Sequence, residues 1–448
     1  MENLKSRVIL LGIIFVLMFT LAACGNNTNN ADVEPAPVED KVKEEKPAAE
    51  KPAAEKPMEK VKIVFGQGAD QTEGTKKMIA AFHAKFPNIE VEVRDFPNNS
   101  TQMHDQYVTI LGGQSSEIDV INLDVIWPAE FAQAGFLLPL DRFIEEDRFE
   151  LDNYLKGGVN AGYFNGQQWA LPRYNNTGLL YYRTDIVKTP PATWDELQTM
   201  AKKYQGMEGT KFGYVLQAKQ YEGLVVNFTE FVYAYGGKIL DSNGQVAVND
   251  PATIKGLQKL MDIVQSDFVP TDIKTFTEGE TANALLEGQA VFSRDWPARF
   301  AQTQDATKSK VVGKIAIAPL PAGDAGSAAA LGGWLAGINK YSAHPREAWE
   351  FMKFMAGPEG QKIIAVESTQ TPTYLPLYDD ADVQKASPLF ADRNFVEGIS
   401  GAVPRPQTPI YAKISDIIQI EVSKAIAGEQ TAEQAVTNME TEMKKVIQ

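Results

Sequence analysis

Cysteine and histidine are the residue types that this sequence has least of. Its 448 residues include one cysteine and three histidines, at positions 24, 83, 104 and 344. A chain with a single thiol forms no internal disulfide, so its folded part must be held together by its core. None of His83, His104 and His344 stands in a zinc-ligand spacing or beside a serine-nucleophile motif, and we expect all three at the surface. The sequence therefore predicts neither a metal site nor a hydrolase triad.

Nucleotide-binding motifs and an excess of positive charge are absent as well. The string that begins at Gly66, GQGADQ, lacks the third glycine of a dinucleotide-binding loop, and the chain contains no P-loop motif. The formal net charge of −15 at pH 7 disfavours nucleic acid as a partner. No segment repeats at a period on the order of 20 to 50 residues, which argues against a solenoid. We therefore expect no cofactor and no nucleic-acid partner.

The N-terminal residues have the order of an export signal. Basic residues in MENLKSR precede an apolar run, which ends in LAAC at positions 21–24. This ending resembles the lipobox of bacterial lipoproteins, in which the cysteine is lipidated and becomes the first residue. We therefore predict a signal peptide over residues 1–23 and a lipid anchor at Cys24, which would hold the chain at the extracellular face of the cell membrane.

The next region, residues 24–60, is poor in large apolar side chains. It contains no aromatic residue and carries a short KPAAE repeat. Such a composition cannot bury enough apolar surface to offset chain entropy, so we predict a disordered linker between the anchor and the folded part. A long tether suits a Gram-positive bacterium, where the folded part must reach through the wall.

The remainder, residues 61–448, exceeds the size of a single core and suits two lobes. VKIVFG at 61–66 and IEVEVRDF at 89–96 read as strands, and an amphipathic helix separates them. Strand, helix and strand in this order predict a parallel βαβ unit. Strands and helices continue to alternate, which is typical of the α/β class, whose ligands bind at the carboxyl ends of strands.

Aromatic residues stand near several predicted strand ends, next to polar residues or glycine. Trp127 closely follows Asp124, and Trp334 follows two glycines. Sugars have apolar C–H faces and a rim of hydroxyls, so a site for them needs flat aromatic rings beside hydrogen-bonding groups. Facing carboxylates could instead cleave a glycosidic bond, which leaves a glycoside hydrolase as the enzyme alternative. The aromatic residues in this context are Trp127, Tyr174, Trp296 and Trp334.

Several strings, in order along nearly all of residues 61–448, resemble a known family. They include AFHAKFPNIEVEV, IDVINLDVIWPAEFAQAGFLLPLD, WALPRYNNTGLLYYRTDI, LLEGQAVFSRDWP and ALGGWLAGINKYSAHPREAWEFMKFM. The family is that of extracellular solute-binding proteins, family 1, the receptors of ATP-driven (ABC) sugar importers, and the pattern is closest to its trehalose/maltose-binding branch. The resemblance implies a two-lobe α/β fold of the periplasmic-binding-protein type (type II), a carbohydrate between the lobes, no catalysis and an ABC permease as partner.

The resemblance also implies a set of ligand contacts. Either Asp70 or Glu73 would supply one carboxylate near the first strand. Where relatives of this branch carry an acid, this chain has Asn176, and where they often read W-P-Y it has Ala298. Both departures leave the identity of the sugar open. The contacts carried over from the family are Asp124, Tyr174, Asn176, Trp296, Gly332, Gly333, Trp334 and Arg405, and the strand-end pattern adds Trp127.

The family's hinge implies that the chain crosses between its lobes more than once. We expect lobe 1 from residues 61–172 and 318–370, and lobe 2 from residues 173–317 and 371–448. A ligand that contacts both lobes stabilises the closed form over the open one, and we expect a monomer that works in this way. A receptor for another small polar solute is the remaining alternative within the binding class.

Overall fold

The computed structural model describes residues 60–70 and 72–447. The predicted signal peptide, the lipid anchor at Cys24 and the predicted linker up to residue 59 lie outside the described residues. Within the part that is described, no helix has both the length and the apolar character that crossing a membrane requires.

Eleven strands in the described ranges form two main sheets and one short hairpin. The five-stranded first sheet has the order β2-β1-β3-β11-β6, and the four-stranded second sheet has the order β10-β7-β9-β8. The strands are β1 Val61–Gly68, β2 Ile89–Phe96, β3 Val120–Asp124, β4 Tyr163–Phe164, β5 Gln167–Gln168, β6 Ala170–Thr177, β7 Leu179–Arg183, β8 Phe212–Val215, β9 Ala290–Asp295, β10 Ile315–Ala318 and β11 Leu331–Ile338.

Strand directions within the sheets are mixed. β1 pairs in parallel with β2, in the register Val61 to Ile89, and in parallel with β3. The predicted βαβ unit is therefore confirmed. β11 runs antiparallel to both of its neighbours, β3 and β6. In the second sheet β8 and β9 are parallel, whereas β7 is antiparallel to β9 and β10.

Sixteen α-helices cover these sheets along the described chain. Two begin as predicted, because the side chains of Thr193 and Asp250 accept hydrogen bonds from the backbone N–H groups of Glu196 and Ala252. The helices are α1 Gly74–Lys85, α2 Ser100–Gly112, α3 Pro128–Gln133, α4 Asp141–Asp147, α5 Lys156–Ala161, α6 Trp194–Tyr204, α7 Glu222–Ala234, α8 Pro251–Val264, α9 Glu278–Leu286, α10 Arg299–Thr303, α11 Pro345–Ala356, α12 Pro358–Ser368, α13 Ala381–Ala386, α14 Arg393–Ser400, α15 Tyr411–Ile426 and α16 Ala432–Val446.

Each main sheet has its own hydrophobic core. Phe65 of β1 packs edge-on against Phe351 of α11 beside the first sheet, with ring centroids 5.5 Å apart. Trp194 of α6 stacks on Phe231 of α7 at 4.0 Å beside the second sheet. The chain passes from β6 of the first sheet to β7 of the second through Gly178 alone. The predicted α/β class is confirmed, while the residue boundaries of the two lobes stay a prediction.

Candidate functional site

Most of the predicted contact residues line one cavity of about 190 Å³, here called the central cavity. The ends of β3, β6 and β9, the beginning of β11 and the start of α7 surround it. In α/β proteins ligands bind at the carboxyl ends of strands. The predicted residues that line the central cavity are Asp124, Asn176, Trp296, Gly332, Gly333, Trp334 and Arg405.

A second cavity of about 280 Å³, here called the outer cavity, adjoins the central cavity, because Asn98 and Trp334 line both. Two further predicted residues, Asp70 and Tyr174, belong to its lining. The outer cavity is rich in side-chain amides, which can donate and accept hydrogen bonds at once, as hydroxyl groups do. These amides belong to Gln67, Asn98, Asn122, Gln302 and Gln370.

Two predicted contacts lie outside both cavities. Trp127 is only 3% exposed and meets Trp334 edge-on, with ring centroids 5.5 Å apart and planes at 88°. Trp127 therefore supports the ring of Trp334 from behind. Glu73 precedes α1 as an exposed side chain whose carboxylate lies 3.2 Å from Lys76 Nζ. Between Asp70 and Glu73, the position in the cavity wall favours Asp70.

Trp296 is held by a buried charge pair. The guanidinium carbon of Arg294 lies 3.9 Å from the centroid of the Trp296 ring, a cation–π arrangement. Arg294 donates two hydrogen bonds to the carboxylate of Glu230, at 3.0 and 2.6 Å. Gly332 of β11 comes close to the ring of Trp296, since a Cβ atom added to Gly332 would lie 2.8 Å from that ring. Trp296 at the end of β9 thus faces β11, which belongs to the other sheet.

The backbone before Trp334 requires glycine. Gly333 has a φ of 118°, which L-residues rarely adopt, and a Cβ atom there would overlap the carbonyl oxygen of Tyr174. The pairing register of β11 with β6 also shifts between Trp334 and Leu335, as in a β-bulge. Bulges re-aim side chains. The two features together turn the indole of Trp334 towards the cavities.

The carboxylate of Asp124 already has partners on both oxygens. Its Oδ2 accepts a hydrogen bond from Ser100 Oγ at 2.8 Å, and its Oδ1 lies 3.4 Å from Nη2 of Arg405. Burial acts to lower the pKa of Arg405, but the acidic groups around it, led by Tyr411 and Asp124, raise that pKa above its ordinary value. Arg405 is therefore a permanent cation in the cavity wall.

Asp70 and Arg173 bring opposite charges to the outer cavity. Burial acts to raise the pKa of Asp70, yet hydrogen bonds from Thr72 and Thr75 hold this pKa below its usual value. Arg173 is buried; its Nη1 donates to Asn122 Oδ1 at 2.5 Å, and burial lowers its pKa. An ionised acceptor and a cationic donor can hold a hydroxyl group from both sides.

The expectation of three surface histidines is wrong for His104, and His83 is also only partly exposed, with its Nε2 accepting a hydrogen bond from the backbone N–H of Val91 at 3.0 Å. The Nε2 of His104 lies 3.1 Å from Glu130 Oε1, and its ring centroid lies 5.7 Å from that of Trp127. Burial opposes protonation, but the bonds to Glu130 and Asp105 raise the pKa of His104. The polar appearance of α2 concealed a face that packs against α3. Across residues 60–70 and 72–447, no three or more metal-ligating side chains stand together in a way that could hold an ion.

Some residues of the site were not predicted. Asn98 and Ser100 follow β2, so the rule that ligands bind beyond strand ends could have identified them. Arg173 and Glu222 gave no such signal, because a charged residue in a strand or at a helix start is ordinarily exposed. The remaining unpredicted residues in the central cavity are Asn99, Tyr221, Gly223, Val226 and Glu278.

Comparisons with known proteins agree with this architecture. The family described as "Bacterial extracellular solute-binding protein" matches residues 68–362. A "Probable ABC transporter-binding protein" of Deinococcus radiodurans is 34% identical over 395 residues, 85% of this chain and 91% of the relative. The maltotriose-binding protein of Pyrococcus abyssi is 24% identical over 358 residues, 78% of this chain and 74% of the relative. The solved structure of maltose-bound T. maritima MalE3 is 36% identical, with a TM-score of 0.81, and the match covers 86% of this chain and 100% of that one.

The family match extends over more than half of the chain, and the likeness to MalE3 confirms the two-lobe α/β fold. Proteins of this family serve ABC importers on the extracellular or periplasmic side. They bind solutes and are not enzymes, so the glycoside hydrolase alternative falls away. This chain belongs to the bacterial extracellular solute-binding protein family.

Proposed function

We propose that this protein captures a di- or oligosaccharide for an ABC importer and delivers it to the permease. One observation carries the proposal: two indole rings from different sheets line the same cavity beside acid and amide groups. Trp296 follows a strand of the second sheet and Trp334 belongs to the first, and Asp124 and Asn176 line the same cavity. Flat rings match the C–H faces of a sugar, and the polar groups match its hydroxyls.

The proposed mechanism is hinge closure by a monomer. A ligand between Trp296 and Trp334 touches both halves of the molecule at once, so it binds more tightly to the closed form than to the open one. The single-residue crossing at Gly178 suits a hinge, because few backbone groups there must change conformation. The permease would then recognise the closed form.

The adjoining cavities favour a ligand of more than one sugar unit. The outer and central cavities, of about 280 and 190 Å³, share Trp334, so one ring could face each side of that indole. Two relatives support the class: T. maritima MalE3 was solved with maltose, and the P. abyssi relative is named as a maltotriose-binding protein.

A thermal-shift panel of sugars, polyols and short peptides tests the proposal. We expect at least one di- or trisaccharide to raise the melting temperature by a few degrees, because a ligand at about 100 times its Kd adds about 2.7 kcal/mol to stability. Isothermal calorimetry of that sugar then gives its Kd. Stabilisation by a polyol or a peptide, with none by any sugar, would contradict the carbohydrate assignment.

We also propose that Cys24 carries the lipid that retains the protein at the extracellular face of the membrane. The proposal rests on the sequence LAAC and on the composition of residues 24–60. We expect mass spectrometry of the membrane fraction to find a diacylated or triacylated Cys24 as the first residue, and Cys24→Ser to leave the protein unlipidated. An unmodified Cys24 inside an uncleaved N-terminal peptide would refute the anchor.

A further inference from the structure

Glu222 lies at the site, although no sequence signal pointed to it. It is the first residue of α7, it is 6% exposed, and it lines both the central cavity and a neighbouring cavity of about 290 Å³. Its Oε1 accepts hydrogen bonds from Arg405 Nη1 at 2.6 Å and from Tyr411 Oη at 2.5 Å, and its Oε2 accepts one from Ser415 Oγ at 2.5 Å. Both oxygens of Glu222 are therefore engaged within the protein.

Arg405 connects Glu222 to the other half of the molecule. Its Nη2 lies 3.4 Å from Asp124 Oδ1 and 3.3 Å from the carbonyl oxygen of Leu331. Asp124 ends β3 of the first sheet, whereas α7 packs in the core of the second sheet. The network of Glu222, Arg405 and Asp124 thus joins the first sheet to α7 of the second-sheet core beside the central cavity.

The contacts of Arg405 with its two carboxylate partners differ in length. The contact with Glu222 is short and charge-assisted, whereas the contact with Asp124 is long. A buried guanidinium that loses its closer carboxylate must find compensation elsewhere, because an unpaired buried charge is costly. The nearest remaining carboxylate is Asp124, to which Arg405 would move. That movement would turn the long contact with Asp124 Oδ1 into a short hydrogen bond, and this oxygen could then accept less readily from a ligand hydroxyl.

We propose that Glu222 is a positioning residue for ligand binding: by holding Arg405 at a distance from Asp124, it leaves Oδ1 of Asp124 able to accept a hydrogen bond from a ligand hydroxyl. Glu222 acts through Arg405 and need not touch the ligand itself. The inference rests on the proposed function, and it adds a positioning contact that links Asp124 of the first sheet to the first residue of α7.

A double-mutant cycle measured with maltose and maltotriose tests this role. Glu222→Gln keeps the size of the side chain and removes its charge, and we expect it to raise the Kd about tenfold. In a protein that already carries Arg405→Met, Glu222→Gln should alter the Kd less than about twofold, because the guanidinium through which Glu222 acts is then missing. Ser415→Ala, which removes another partner of Glu222 and leaves Arg405 in place, serves as control and should stay within about twofold of wild type.

The pH dependence of binding gives a readout that a purely structural role would not change. Burial raises the pKa of Glu222, so on acidification this residue loses its charge earlier than an exposed glutamate does. We expect the wild-type Kd to rise more steeply than the Kd of Glu222→Gln between about pH 7.5 and about pH 5. Comparing the two proteins isolates Glu222 from the other titratable groups around it, which are Asp124, Arg405 and Tyr411 in the network, Tyr221 and Glu278 in the central cavity, and His104, Asp105, Glu130 and Asp416 in the neighbouring cavity.

Two kinds of failure can be told apart. If the wild-type protein binds sugar and Glu222→Gln binds it equally well, the positioning role is refuted while the carbohydrate function stands. The same holds if Glu222→Gln and Arg405→Met change the free energy of binding additively. If the pH profiles of wild type and Glu222→Gln run parallel, the role is refuted in the same way. If no sugar binds the wild-type protein, the proposed function fails, and this inference fails with it.

Discussion

Replacing Trp334 with alanine is expected to weaken carbohydrate binding by about 1–3 kcal/mol, roughly 5- to 150-fold in Kd. The ring lines both the central and the outer cavity, so it can contact a ligand on either side. Trp127 holds it edge-on from behind, and the shift in the register of β11 directs it towards the cavities. Truncation therefore removes a pre-oriented platform. Isothermal calorimetry with the sugar found in the panel measures the loss.

A matched control separates this effect from a general cost of removing an aromatic ring. Tyr163 is 52% exposed on β4, and it lines neither the central nor the outer cavity. Tyr163→Ala should leave the Kd unchanged. If Trp334→Ala folds normally and binds the sugar as tightly as wild type, the role of this ring as a platform is disproved.

The second large expected effect is on stability, and it concerns the buried ion pair of Glu230 and Arg294 next to the ring of Trp296. Glu230→Ala should lower the free energy of unfolding by about 3–5 kcal/mol, because it leaves the guanidinium of Arg294 buried without its carboxylate. Both side chains are 1% exposed, and two hydrogen bonds join them. Glu230 Oε1 also accepts a bond from the N–H of Ala330, just before β11. Urea denaturation measures the change.

Two further variants make this result interpretable. The double variant Glu230→Leu with Arg294→Met should recover most of the lost stability, since it removes both charges and retains apolar volume. Glu442→Ala breaks a solvent-exposed pair with Lys445 on α16 and should cost no more than about 0.5 kcal/mol. A loss for Glu230→Ala as small as that for Glu442→Ala would show that the buried pair does not support the structure.

Local patterns were sufficient for the elements and for part of the site. The apolar alternation of VKIVFG and IEVEVRDF predicted a parallel strand pair, and the structure has it. The caps at Thr193 and Asp250 needed only a polar side chain before a helical run. The resemblance to the solute-binding family implied that Asp124, Asn176 and Trp296 contact one ligand, and all three line the central cavity.

Two tryptophans show where such patterns stop. Trp127 and Trp334 both stand beside polar residues or glycine near strand ends, yet Trp127 is buried behind the cavity wall while Trp334 lines it. The difference arises because α3 packs over one ring, and a backbone turn at Gly333 exposes the other. His104 is hidden for a similar reason, since Glu130 of α3 covers it.

The sequence by itself determined the α/β class, the local start signals of helices and the strand ends at which a ligand could bind, because each of these depends on neighbouring residues. Only the tertiary structure decided which rings face the cavity and which charges meet there. Arg405 reaches Asp124 across 281 positions of chain and Glu222 across 183. The burial and pairing of such groups depend on how distant segments pack, and periodicity along the chain carries no record of that packing.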